Sequence, residues 1–245
     1  MKLILTNDDG IDAPGIHALE GVIRNFGQLF VVAPAEPNSG IGHRVTTDTP
    51  IKIKLMESDR YRISGTPADC VRIALTHLSF DADWVIAGIN RGGNLGADVY
   101  MSGTVAAARE AAFLGCRSIA VSHYVAKNRE VDWDLASKRI APLLRSLLDR
   151  ELPHGHFWNV NLPHPKEDHT DIEAIFCPLD TEPHGVKYEI NGNHLMYTGE
   201  YHTRPRQPGR DVDVCFSGNI AVTQIPLDVT GENIHLIIGE KKNGI

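Results

Sequence analysis

Two adjacent carboxylates, Asp8 and Asp9, directly follow a short apolar stretch that includes Leu3, Ile4 and Leu5. Two ionised carboxylates side by side repel, and without a partner one of them must rise in pKa. A divalent cation removes that conflict. Hard ions such as Mg²⁺ or Mn²⁺ take oxygen ligands, commonly one or two carboxylates completed by water and a phosphate oxygen. The competing reading of the same pair is an acidic turn that caps a helix. Downstream, Asn38, Ser39, Gly40 and His43 share a loop rich in Gly, Pro and Asn, spanning residues 34–44. The Ser39 hydroxyl suits a metal or a phosphate, although Asn38-Ser39-Gly40 is equally an ordinary turn. His43 suits a general acid or a phosphate donor, or is simply solvated.

A third segment is the densest in chemistry. Between Asn90 and Asn94 lie two Asn, two Gly and Arg91. An Asn side-chain oxygen is a neutral metal ligand, and glycine lets backbone approach a ligand closely. Ser102, Gly103 and Thr104 then open an alanine-rich helix. A helix start presents free N–H groups and here two hydroxyls, which makes an anion site; simple N-capping is the alternative. With a carboxylate pair on the same rim, phosphate binding accounts for more of these residues.

The elements that must position them follow from hydropathy. The apolar runs at Leu3–Leu5, Leu29–Ala33 and Trp84–Ala87 read as strands covered on both faces, and Ser118–Ser122 and Trp158–Leu162 read as a fourth and a fifth short strand. Helical spacing separates them: Ile16, Leu19, Val22, Ile23 and Phe26; Val71, Ala74, Leu75 and Leu78 behind a Thr66-Pro67 start; residues 105–114; and residues 132–148. Pro142 inside the last of these predicts a kink or a restart. Residues 51–56 and 61–64 read as a small antiparallel pair. Beyond about residue 165 the pattern becomes β-rich, with extended stretches at 171–177, 186–190, 194–197 and 220–225 and few helix signals, and the tail 241–245 reads as frayed. Alternating strands and helices imply an α/β, Rossmann-like, doubly wound and mostly parallel sheet in three layers. Residues 1–245 form a single domain, with a β-rich C-terminal extension at about 165–230. In such sheets ligands bind at the carboxyl ends of the strands, so the loops at 7–14, 34–44, 90–103 and 122–131 should share one rim.

Composition excludes several classes. At 245 residues the chain is near the limit of a single core. A net charge of −7 lacks the basic field of a duplex-binding protein, so no duplex nucleic acid is expected as a partner. The four cysteines are widely spaced and form no C-x-x-C pair, which reads as reduced thiols. No apolar run approaches the ~20 residues of a membrane span, and the N-terminal apolar stretch is too short for a secretion signal. A soluble, cytoplasmic protein with no membrane partner is the expectation. A dinucleotide fingerprint is absent after the first strand, where the text is NDDGIDAPG, and there is no Walker motif. The aspartates are adjacent rather than spaced as D-x-D. The acceptor aspartate of a receiver domain is matched here only by Asn90. Without an obvious covalent acceptor, direct attack by metal-activated water is favoured.

These stretches together resemble the SurE family of stationary-phase survival proteins, metal-dependent nucleoside monophosphate phosphatases. The resemblance rests on TNDDGIDAPG at 6–15, VVAPAEPNSG at 31–40, SGTPADCV at 64–71 and AGINRGGNLGADVYMSGTVAAAREAAFLG at 87–115. SIAVS at 118–122, NVNLP at 159–163 and SGNIAVTQIPLDVT at 217–230 extend it along nearly the whole chain. It implies one divalent ion per subunit, Mg²⁺, Mn²⁺ or similar, held by Asp8, Asp9, Ser39 and Asn90. It also implies phosphate binding at Ser102, Gly103 and Thr104, with Asn94, Gly40 and His43 as further substrate contacts. Gly42 and His43 stand where the family's loop carries a further serine. The implied assembly is a homodimer or homotetramer with exchanged C-terminal segments, which the β-rich extension would suit. The expected activity is hydrolysis of nucleoside 5′-monophosphates, with Asp8 or Asp9 able to accept the proton of the attacking water. The alternative is a nucleotide-sensing module without catalysis on the same anion site; a nuclease sharing the metal site is a more distant third.

Overall fold

The computed structural model describes residues 1–78, 80–164, 172–183 and 185–230. Its strands and helices alternate along most of the chain: β1 (Lys2–Thr6), α1 (Pro14–Ile23), β2 (Gln28–Pro34), β3 (Ile53–Glu57), β4 (Arg60–Ile63), α2 (Pro67–Arg72), β5 (Trp84–Arg91), α3 (Gly103–Phe113), β6 (Arg117–His123), α4 (Trp133–Asp149) and β7 (His156–Leu162). The remaining elements are β8 (Ala174–Phe176), β9 (Tyr188–Asn191), β10 (His194–Tyr197), α5 (Asp211–Ser217) and β11 (Ile220–Pro226). A nine-stranded sheet runs β3-β4-β2-β1-β5-β6-β7-β11-β8, and β9 pairs only with β10.

β4, β2, β1, β5, β6 and β7 are mutually parallel. β1 neighbours β2 on one side and β5 on the other, so the winding direction reverses between β1 and β5. Such a switch point is where an open α/β sheet leaves a crevice.

Successive side chains of a strand point to opposite faces, which explains why β1 is apolar throughout. Leu3 and Leu5 pack with Ile16 and Leu19 of α1 and Ile140 and Leu144 of α4, whereas Ile4 packs with Val71 of α2 and Ala107 and Ala111 of α3. The result is three layers, with helices on both faces, as the sequence pattern implies. α3 is buried on nearly every side, and its run of alanines lets it sit deep in the molecule. The capping box at α2 forms as its sequence suggests: the Thr66 side chain accepts from Asp69 N, and Asp69 accepts from Thr66 N.

Three local expectations change. Pro142 does not restart its helix, which is one element from Trp133 to Asp149. The ring lies on the exposed face, where water can satisfy the carbonyl it leaves unpaired, while Ile140, Leu144 and Leu147 hold the opposite face to the sheet. The 51–64 hairpin is antiparallel as expected, but β4 also pairs with β2 and so extends the main sheet. The C-terminal region is not uniformly apart either. β11 lies antiparallel beside β7, β8 lies beside β11, and α5 supplies a short helix that the sequence pattern had not signalled. Among the described strands, only the β9–β10 hairpin stands outside the sheet. Asp171 and the tail 241–245 lie outside the described residues. No helix among the described residues is long and apolar enough to cross a membrane.

Candidate active site

The four loops expected on one rim meet there. Asn38 N donates to Asp8 O at 2.7 Å, Gly42 N to Met101 O at 3.0 Å, and Gly92 N to His123 O at 3.0 Å. Asp9 accepts from Arg91 N at 3.1 Å, and the Arg91 side chain reaches Glu130 at 3.1 Å. The turn after β1 is built by Asn7, whose side-chain nitrogen donates to Gly10 O at 2.7 Å. That bond curls the chain so that Asp8 and Asp9 leave the sheet together.

A cavity of about 270 Å³ opens between these loops, lined by Asp8, Ser39, Gly40, Asn90, Arg91, Gly93, Asn94, Asp98, Met101, Ser102 and Tyr201. Six of the residues singled out from the sequence therefore meet in one place: Asp8, Ser39, Gly40, Asn90, Asn94 and Ser102. Asp8 is the buried anchor, only 4% exposed. Its Oδ1 accepts from the Thr104 hydroxyl, and the first turn of α3 approaches it closely. Gly103 permits that approach: a Cβ there would lie 2.9 Å from the Asp8 Cβ. Ser102 caps the helix by accepting from Val105 N at 3.1 Å.

Burial pushes the Asp8 carboxyl up to about 6; the Thr104 hydrogen bond opposes that shift and the neighbouring Asp9 adds to it. Among the described residues Asp8 makes no ion pair with a basic side chain. Burial likewise raises Asp9, opposed by the Arg91 N–H and the Arg91 charge. A buried carboxylate flanked by a second one and lacking a cation of its own is an environment that a bound divalent ion would relieve. The donor set fits a hard ion. Among the described residues no group of three or more His, Cys, Asp or Glu could hold a metal, so any ligand set here mixes carboxylates with neutral oxygens. Ser39 offers a hydroxyl. Asn90 gives its amide nitrogen to Gly92 O at 2.8 Å, which leaves the side-chain oxygen as its second polar end.

Other candidates sit differently. Asp9 lines a second, neighbouring cavity rather than the one shared by Asp8, Ser39 and Asn90. Asn94 holds the loop as much as it lines the cavity. Its side-chain nitrogen donates to Ser122 at 2.7 Å, its N–H to Asn161 at 2.7 Å, and its carbonyl accepts from Asn159 and Asn161. Thr104 commits its hydroxyl to Asp8, so what it retains for an anion is backbone. His43 is absent from the cavity wall. Its Nε2 lies 2.6 Å from Glu110 and its Nδ1 3.3 Å from Arg109, on the outer side of α3. The buried Glu110 carboxylate, also bonded by Arg72, holds it there.

Four lining residues were missed or left without a role: Arg91, Asp98, Met101 and Tyr201. Asp98 accepts from the Tyr201 hydroxyl at 2.7 Å and from Arg204 at 2.9 Å, so the C-terminal region forms part of the wall. Asn159 and Asn161 did carry a signal, since two amides at strand period two in a buried apolar run need a polar partner on one face.

A family model described as survival protein SurE matches residues 3–182. The chain belongs to the SurE family. A relative from Nostoc sp. is 53% identical over 227 residues, covering 92% of this chain and 99% of its own. A protein from Nitrosococcus oceani named 5′-nucleotidase SurE is 37% identical over 235 residues, covering 94% and 93%. The crystal structure of the SurE protein from Aquifex aeolicus superposes with a TM-score of 0.81 at 30% identity, covering 94% of this chain and 95% of that one. SurE membership fits the α/β architecture.

Proposed function

We propose that this SurE-family chain is a divalent-metal-dependent phosphatase that hydrolyses nucleoside 5′-monophosphates to nucleoside and phosphate. The observation that carries the proposal is the meeting of Asp8, Ser39, Asn90 and Ser102 on one cavity at the sheet's switch point, with relatives named 5′-nucleotidase SurE. Asp8, Asp9, Ser39 and Asn90 would hold the ion. A bound Mg²⁺ or Mn²⁺ supplies charge neutralisation and a water of lowered pKa.

The chain's own residues supply the rest. The first-turn N–H groups of α3 face phosphate oxygens and favour their negative charge. Ser102 fixes the start of that helix by capping it. Asp8 or Asp9 takes a proton of the attacking water as the water oxygen bonds to phosphorus, the ester P–O bond breaks, and the leaving nucleoside oxygen takes up a proton from solvent. The Asp8–Thr104 bond orients that carboxylate. Replacing Asp8 with Asn and measuring phosphate release from a nucleotide panel with Mn²⁺ tests the proposal. Loss of turnover supports it; turnover near wild type, or tight nucleotide binding without phosphate release by the wild type, overturns it.

We further propose a homodimer or homotetramer formed through the β9–β10 hairpin, which leaves Ile190 77% and Met196 70% exposed. The solution mass by light scattering tests this, and a monomer would overturn it.

A further inference from the structure

Beside the phosphate cavity lies a larger one of about 520 Å³, of which the proposed chemistry uses only Asp9, at its edge. Its volume falls in the range of ~300–1,000 Å³ typical of small-molecule sites. Asp9 and Arg91 stand at the junction: Arg91 lines both cavities, and Asp9, next in sequence to Asp8, lines the larger. A phosphate ester bound at Asp8 and Ser102 can therefore direct its organic group past Arg91 into this space.

The lining identifies the class of that group. Pro14, Ala35 and Pro37 supply flat, rigid apolar surface, and Trp133 supplies an aromatic face. Trp133 is held from behind. It is the first residue of α4, and its ring edge abuts α1 at Gly15, where a Cβ would sit 3.1 Å from the Trp133 ring. Glu130 and Arg91, paired across the mouth, offer an acceptor and donors at the cavity edge. An aromatic wall, apolar surroundings and a polar rim are what a planar heterocycle with edge hydrogen-bonding groups requires.

We propose that the cavity bounded by Trp133, Pro37 and Arg91 is the nucleobase subsite, with the base stacked on the Trp133 indole. This deepens the nucleotidase reading and rests on it for the identity of the phosphate ester. The sequence holds three tryptophans, and Trp84 and Trp158 are buried, so Trp133 is the one that a solute can reach.

The experiment has two readouts. Adenosine is titrated into the wild-type chain and Trp133→Phe while tryptophan fluorescence is followed. Phosphate release from AMP and from ribose 5-phosphate is then compared in wild type, Trp133→Phe and Trp133→Ala with Mn²⁺. The expected result is a saturable quench in the wild type that disappears in Trp133→Phe. The ratio of kcat/KM for AMP to that for ribose 5-phosphate should fall about ten-fold in Trp133→Ala and less in Trp133→Phe. A quench that persists in Trp133→Phe, no quench in the wild type, or an unchanged substrate ratio overturns the subsite. The nucleotidase reading fails separately: if the wild type quenches with adenosine yet releases phosphate from neither ester, that reading falls and the base-stacking cavity stands.

Discussion

Along the rim where β1 and β5 end, several residues are tied to distant parts of the chain. Asp8 is bonded by Thr104, Asn94 by Ser122 and the two asparagines of β7, and Asp98 by Tyr201 and Arg204. In the β9–β10 hairpin the opposite holds. Val186, Tyr188, Ile190, Leu195, Met196 and Tyr197 are all exposed, and among the described residues the two strands pair only with each other. A two-stranded ribbon alone is marginal in water. The contrast separates a region whose geometry the fold dictates from one whose apolar surface is exposed and would be covered by the proposed assembly. It implies that small changes on the rim cost function or stability, whereas changes in the hairpin cost assembly.

The largest expected effect is on the rim. Asp8→Asn keeps the size and the Thr104 contact but removes a charge, and phosphate release with Mn²⁺ should fall on the order of 10³-fold. An equal loss from Ile190→Ser in the same assay would erase the distinction between the two regions.

Next comes acid stability. Burial lowers the His123 imidazole, at the end of β6, to about 4, against an ordinary 6.5. The unfolded chain therefore binds the extra proton first. Stability tied to this group is fully present above pH 6.5 and is lost as pH falls toward 4. Each unit of displacement corresponds to about 1.4 kcal/mol, so the whole interval spans on the order of 3 kcal/mol. Urea midpoints for wild type and His123→Gln across that window measure it. The variant's stability should gain on the wild type's as pH drops, and a constant offset would refute the assignment.

A pair of glycines gives a smaller contrast. At Gly15 an added Cβ would stand 2.0 Å from Ile89 O, because α1 packs directly on the end of β5. Gly185, just before the hairpin, has nothing within 4 Å. Gly15→Ala should lose roughly 1–3 kcal/mol and a few degrees of Tm, while Gly185→Ala stays within about 0.5 kcal/mol. Thermal melts of the two variants side by side decide this.

The same division explains what could be read before the fold was known. β1, β2 and β5 announce themselves because both of their faces are covered, which forces continuous apolar runs, while β6 and β7 show shorter apolar stretches broken by Ser or Asn. Asp8, Ser39 and Asn90 follow from where those runs stop. Tyr201 and Arg204 could not be found that way. They act through Asp98, about a hundred residues distant in sequence, and no local period links them. His43 misled for a related reason: a loop histidine says nothing of the buried Glu110 on another element that captures it. α5 is only seven residues long, too short for helical spacing to stand out.

The smallest expected change in the isolated chain is the most informative about the hairpin. Ile190 contributes little to any core within one subunit, so Ile190→Ser should alter the stability of a dilute, monomeric sample by less than about 0.5 kcal/mol. If two copies meet at this surface, the outcome depends on concentration. Association stabilises the folded state by mass action, so the wild-type Tm should climb as the protein is concentrated and the Ile190→Ser Tm should not. Melts over a hundred-fold concentration range, paired with light scattering, separate the cases. Parallel curves for the two proteins at every concentration would mean that the exposed apolar face of β9 and β10 does not drive assembly. The hairpin would then be a region whose partner is something other than another copy of this chain.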